Sequence, residues 1–223
     1  MTKSILVICA HPDDEVLGCG GTVARHITDG DFVHLLVLAD GVSSRDSGNS
    51  HEVTRRYSAA MQSVKILGFK TYKFLTFPDN KMDTVPLLDI VQEVEREISL
   101  LNPEIIYTHH CNDLNIDHRI TFQAVLTACR PIPKSSVKEI YSFEVMSSTE
   151  WAPLMGSRFA PSLYVDITKF MDIKIDALRA YSEELRPSPH SRSLNHLKIL
   201  AHHRGYAVGV EAAEAFEVVR IVR

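Results

Sequence analysis

Apolar runs recur along the first half of the chain, and each is followed by a stretch with helical spacing. Ile5–Ala10 is a continuous β-favouring run, the pattern of a strand buried on both faces. Glu15–Asp29 carries Val16, Val23 and Ile27 among small residues and reads as a helix closed by Gly30. Phe32–Ala39 is a second strand, and Asp40–His51, rich in Gly, Ser and Asn, reads as a mobile loop long enough to serve as a lid. Glu52–Leu67 has helical periodicity and stops at Gly68. Thr71–Phe77 is a third strand ending in a Pro-Asp-Asn turn. Val85–Leu101 is a helix ended by Asn102-Pro103, Glu104–Thr108 a fourth strand, and Ile120–Cys129 a further helix.

Strands separated by single helices predict an α/β fold: a Rossmann-like, mostly parallel sheet with helices on both faces. Beyond Cys129 the pattern loosens. Val137–Val145 and Ser162–Asp166 read as strands, and Lys169–Leu185 as a helix. Pro187–Pro189 breaks the chain before a last helix at Leu194–His203. The final residues Phe216, Val218, Val219, Ile221 and Val222 form a strand pattern that pairs either with the sheet or with a partner subunit. No repeat or linker divides the chain, so residues 1–223 read as one domain.

With 45% hydrophobic and 23% charged residues, the 223-residue chain is neither disordered nor fibrous. A net charge of −4 argues against a dominant nucleic-acid or anionic-membrane surface. No run approaches the ~20 apolar residues that span a bilayer, and the N-terminal run is too short for a secretory signal. Cys9, Cys19, Cys111 and Cys129 are scattered without a paired motif, which suits reduced thiols and a cytoplasmic protein.

Ligands of open parallel sheets bind beyond the carboxyl ends of the strands. Two clusters of metal-competent residues fall there: His11-Pro12-Asp13-Asp14-Glu15 after the first strand, and residues 109–118, from His109 to His118, after the fourth. Imidazole with carboxylate suits zinc, and a hydrolytic zinc keeps three protein ligands and an open position. His11, Asp14 and His118 make such a set. The competing explanation for the first cluster is a helix N-terminus, where carboxylates cap free N–H groups and suit the dipole.

AHPDDEVLGCGGT resembles the signature of the PIG-L/LmbE-like zinc N-deacetylases. The resemblance continues through Arg55-Arg56, Phe77-Pro78-Asp79-Asn80, Asp117-His118 and the tail from Pro189-His190 to Phe216. It implies a zinc-dependent hydrolase that removes an acetyl group from an N-acetylglucosamine-type sugar. His11, Asp14 and His118 would hold Zn2+, and Asp13 would be the general base toward the attacking water. Asp117 would orient a metal ligand or a catalytic histidine. Arg56 matches a substrate-contacting position. Asp79 and Asn80 either bind sugar hydroxyls or simply form a turn.

Many relatives read His-Pro-Asp-His where Asn115-Ile116-Asp117-His118 stands here. Asn115 can donate to an oxyanion but cannot deliver a proton. The general acid is then Asp13 returning its proton, with help from His190, or else His109 or His110. Gly18, Gly20 and Gly21 lack nucleotide-loop spacing and read as close helix–sheet packing. Trp151 either walls a sugar ring or packs internally. Two rivals stand beside the deacetylase: a zinc amidase acting on a thiol-sugar conjugate or an acylated antibiotic, and a non-catalytic sugar-binding protein with a vestigial site. The partner implied is a small amino-sugar. Asn102-Pro103 and residues 211–223 are where a homo-oligomer would form.

Overall fold

The structure is a computed structural model describing residues 2–44, 50–152 and 156–223. Its strands are β1 (Ser4–Cys9), β2 (Phe32–Ala39), β3 (Thr71–Phe77), β4 (Ile105–His109), β5 (Glu139–Phe143), β6 (Leu163–Asp166) and β7 (Ala213–Ile221). Its helices are α1 (Asp14–Thr28), α2 (Ser50–Leu67), α3 (Leu87–Leu101), α4 (Ile116–Ala128), α5 (Met171–Ala180) and α6 (Leu194–Tyr206). The strands form one seven-stranded sheet in the order β3-β2-β1-β4-β5-β7-β6. The first five strands pair in parallel, while β7 runs antiparallel to both β5 and β6. The terminal strand thus belongs to the chain's own sheet.

Alternate side chains of β1 feed two cores. Ile5, Val7 and Cys9 join Val16 and Val23 of α1, Ala60 and Val64 of α2, and Leu178 of α5. Leu6 and Ile8 face the other way, onto Ile90 and Val94 of α3 and Ala124 and Val125 of α4. Both faces are covered, so β1 is apolar from Ile5 to Cys9. Cys9, Cys19 and Cys129 are buried and all four thiols are free. Among the described residues no helix is long and apolar enough to cross a membrane.

Several boundaries move. Helix α4 begins at Ile116, four residues before the expected Ile120, because the Asn115 side chain accepts the Asp117 N–H at 2.8 Å and caps it. Helix α5 occupies Met171–Ala180 within the expected Lys169–Leu185: a 3₁₀ turn covers Thr168–Phe170, and residues 181–184 turn away. The anticipated 40–51 loop includes residues 45–49, which lie outside the described residues, and α2 already starts at Ser50.

Helix α1 is bent at Cys19 (φ −149°, ψ 19°). The Gly21 N–H, whose helical partner would be the Leu17 carbonyl, donates instead to Glu214 Oε1 at 2.9 Å. Thr22 N–H donates to Glu214 Oε2 at 2.7 Å. Lys174 Nζ serves the freed Leu17 carbonyl at 3.1 Å and also pairs with Glu214. This pair is buried, with 3% and 5% of the two residues exposed. The glycines of the bend do pack closely: a Cβ on Gly18 would lie 2.3 Å from the Phe143 ring, and one on Gly21 2.8 Å from Ile167.

Candidate metal centre

Strands β1 and β4 are hydrogen-bonded neighbours, so the loop after β1 and the start of α4 meet at one end of the sheet. The bend from β1 into α1 turns on Asp13, whose φ of 101° is a left-handed conformation costing roughly 1–3 kcal/mol in a non-glycine residue. Two neighbouring carboxylates hold this bend: Asp14 Oδ2 accepts the His11 N–H at 2.8 Å, and Glu15 Oε2 accepts the Asp13 N–H at 2.9 Å. Asp13 itself caps nothing. Its carboxylate faces the guanidinium groups of Arg56 and Arg192, at 3.2 and 3.1 Å. Helix capping therefore accounts for Asp14 and Glu15 only in part, and for Asp13 not at all.

Asp14 Oδ2 lies 3.5 Å from His11 Nδ1 and 3.4 Å from His118 Nε2. All three residues are buried, and their ligand atoms lie within 4.8 Å of one another. A tetrahedral ion with bonds of about 2.1 Å spaces its ligands about 3.4 Å apart. The set thus fits a zinc-sized ion in both chemistry and spacing. Each imidazole is fixed from behind. His11 Nε2 contacts Asp117 Oδ2 at 3.0 Å and Asp79 Oδ1 at 3.2 Å. His118 Nδ1 lies 3.2 Å from Asp113 Oδ1, as an ion pair rather than an aligned hydrogen bond. Asp113 is held by Thr149 Oγ1 at 2.6 Å and by Ser148 Oγ.

Burial pushes the Asp14 carboxyl up, but the His118 and His109 rings outweigh it and hold it well below its usual range. Burial pulls His118 down, yet Asp14 and Asp113 raise it to about 9. Burial also raises Asp13, against the pull of Arg56 and Arg192. Glu15, buried against Tyr181 and Ser63, rises to about 7. Burial would raise Asp79, but its bonds with His11 and Ser44 bring it down to about 2.

A cavity of about 140 Å³ collects His11, Asp13, Asp14, His118, Arg56, Asp79, Asn80 and Asn115. Asp117 stands behind it: beyond His11, it accepts the backbone N–H groups of Asn80 at 2.6 Å and Met82 at 3.0 Å. Asn115 both caps α4 and donates to Asn80 Oδ1 at 3.0 Å. His190 is exposed, does not line the cavity, and accepts the Arg192 N–H at 2.9 Å. His109 and His110 also stay outside the lining. His109 is fully buried and stacks on His118 with centroids 3.9 Å apart, and burial lowers it to about 4. His110 turns to Glu217 at 2.7 Å.

Four lining contributions are new: Gly41, Arg192, Glu184 and the Ser147-Ser148 pair. Arg56 and Arg192 also bind Glu184, at 3.0 and 3.4 Å. Arg56 and Glu184 line a second hollow of about 280 Å³ beside α2, so their ion pair stands as the shared wall. The signal available for Arg192 was the density of polar residues around the Pro187–Pro189 break.

Residues 6–129 match the family described as PIG-L: GlcNAc-PI de-N-acetylase. An uncharacterized deacetylase of Escherichia coli K12, YaiS, is 28% identical over 187 residues, covering 80% of this chain and 90% of its own. The fold is shared with N,N'-diacetylchitobiose deacetylase of Pyrococcus horikoshii, at 21% identity and a TM-score of 0.79 over 98% of this chain and 84% of that one. It is equally shared with a 4-carboxy-2-hydroxymuconate hydratase of Pseudomonas putida KT2440, at 21% identity and a TM-score of 0.78 over 100% and 99% of the two chains.

Proposed function

The chain belongs to the PIG-L family of GlcNAc-PI de-N-acetylases, and from that membership we propose that it is a zinc-dependent hydrolase that removes the acetyl group from an N-acetyl amino sugar. The observation that carries this reading is the spacing of His11, Asp14 and His118, 3.5 and 3.4 Å about one carboxylate oxygen. These three residues would hold the ion, with Asp117 and Asp113 orienting the two imidazoles. A zinc ion supplies Lewis acidity there, polarising the amide carbonyl and easing the ionisation of water.

The protein's own groups do the remaining work. Asp13, 1% exposed and held between two guanidinium groups, takes a proton from the attacking water. As the C–N bond breaks, it returns that proton to the departing amine, so water is consumed and acetate and a free amine are released. The buried carboxyl, raised by its surroundings, suits both halves of this exchange. Arg56 and Arg192 fix the Asp13 carboxylate and stabilise negative charge at the rim. Asp79 and Asn80 position His11 and the cavity wall. Four free thiols suit work in the cytoplasm.

The test is primary-amine and acetate release from a panel of N-acetylated sugars, free, nucleotide-linked and lipid-linked, by zinc-loaded protein. Release from at least one member is expected. Bound zinc with no release, and hydration of 4-carboxy-2-hydroxymuconate instead, would replace the deacetylase with the activity named for the Pseudomonas putida relative.

A further inference from the structure

We propose that Trp151 and His190 form an aromatic ledge that seats a second sugar ring, making the substrate an N-acetylated di- or oligosaccharide rather than a free monosaccharide. This deepens the deacetylase reading and rests on it. The cavity at the metal centre is about 140 Å³, whereas sites that enclose a whole drug-sized ligand run to roughly 300–1,000 Å³. A cavity of that size leaves most of a larger sugar to lie across the rim.

The ledge stands on the two segments that form that rim. Ser147 and Ser148 line the cavity, and Trp151 closes the 3₁₀ turn that follows them, its N–H donating to the Ser148 carbonyl at 3.2 Å. His190 precedes the lining residue Arg192 by two positions and meets the indole edge-on, with centroids 6.3 Å apart at 81°. Trp151 belongs to neither core and is 51% exposed.

The two segments that carry the ledge are tied to each other. Glu150 accepts the Ser147 N–H at 2.7 Å and the Ser191 hydroxyl. Arg192 Nε donates to Ser147 Oγ at 3.0 Å. A large aromatic face beside a polar rim suits the C–H face of a pyranose: the indole buries apolar area while the sugar hydroxyls keep their water or reach Glu150 and Arg192.

Trp151 is the single tryptophan of the chain, so its emission reports this surface directly and without turnover. Zinc-loaded Asp13→Asn protein is titrated with N,N'-diacetylchitobiose and with N-acetylglucosamine. A saturable change in emission is expected with the disaccharide, at a Kd at least about tenfold lower than for the monosaccharide. In active protein, Trp151→Ala should lower the disaccharide-to-monosaccharide ratio of kcat/KM about tenfold through KM, and Trp151→Phe should restore most of it. Equal affinity for the two sugars, or an unchanged ratio in Trp151→Ala, would overturn the ledge while leaving deacetylation intact. Tight disaccharide binding without amine release by the wild type would leave the ledge standing and remove the deacetylase.

Discussion

Asp117 Oδ2 stands 3.0 Å from His11 Nε2, tying the first turn of α4 to the loop after β1 across 106 positions of sequence. Together with Asp79 Oδ1, 3.2 Å from the same nitrogen, this contact leaves His11 Nδ1 directed to the Asp14 side of the ring, where the candidate ion would sit. Asp117→Asn replaces an acceptor with a donor at one oxygen. It should weaken zinc binding about 10–100-fold, and it leaves only one of the Asn80 and Met82 N–H groups with its acceptor. Competition for zinc with a calibrated chelator checks this, and unchanged affinity would show that Asp79 alone orients His11.

The bend in α1 depends on a buried charge pair. Glu214→Gln keeps an acceptor for only one of the Gly21 and Thr22 N–H groups and leaves the Lys174 ammonium buried without its counter-charge. Breaking such a pair costs about 3–5 kcal/mol. Chemical denaturation should show that loss, and a change below 1 kcal/mol, within the range of an exposed pair, would mean that water already reaches Lys174.

Gly18→Ala tests the same bend by volume. In an open helix this change stabilises by about 1 kcal/mol. Here the added methyl would start 2.3 Å from the Phe143 ring, so the sign should reverse to a loss of about 1–3 kcal/mol. A rise in Tm would show that α1 can lift from β5 without cost.

His110 and Glu217, 2.7 Å apart, give a pH-dependent link between the end of β4 and β7. Burial pulls His110 down, but Glu217 outweighs it and raises the imidazole above its ordinary 6.5. Burial pushes Glu217 up, and His110 brings it below its ordinary 4.5. A raised imidazole stabilises below its unfolded value and loses that contribution as pH rises through its folded value. A lowered carboxyl stabilises above its unfolded value and loses its contribution as pH falls. The coupling energy from a His110→Gln, Glu217→Gln double-mutant cycle should therefore be largest near pH ~5.5 and fade by pH ~9. Equal coupling at both would mean that the pair is held by a neutral hydrogen bond.

The parallel half of the sheet was legible because strands covered on both faces must be almost wholly apolar: Ile5–Cys9 is so throughout, and Phe32–Ala39 at every position but His34. The strand-end clusters were legible for the same reason, since charge following such a run has to lie at the sheet's edge. The start of α4 was hidden because its first turn is polar: Asp117 and His118 serve the site, and Asn115 supplies the cap that periodicity cannot register. Arg192 and Glu184 come from turns with no period, and Arg192 reaches Asp13 across 179 positions. The place of β7 depends on which edges β5 and β6 leave open, a relationship that an isolated strand pattern does not contain.

The measurement that tests the central claim most directly is zinc content and amine release, taken together on the same preparations of wild type, Asp14→Ala and Asp13→Asn. Wild type should bind one equivalent and turn over. Asp14→Ala should lose the ion, and Asp13→Asn should keep it while turnover falls about 10²–10⁴-fold. Full zinc occupancy in Asp14→Ala, or near-normal turnover in Asp13→Asn, would contradict the division of labour between the two adjacent carboxylates.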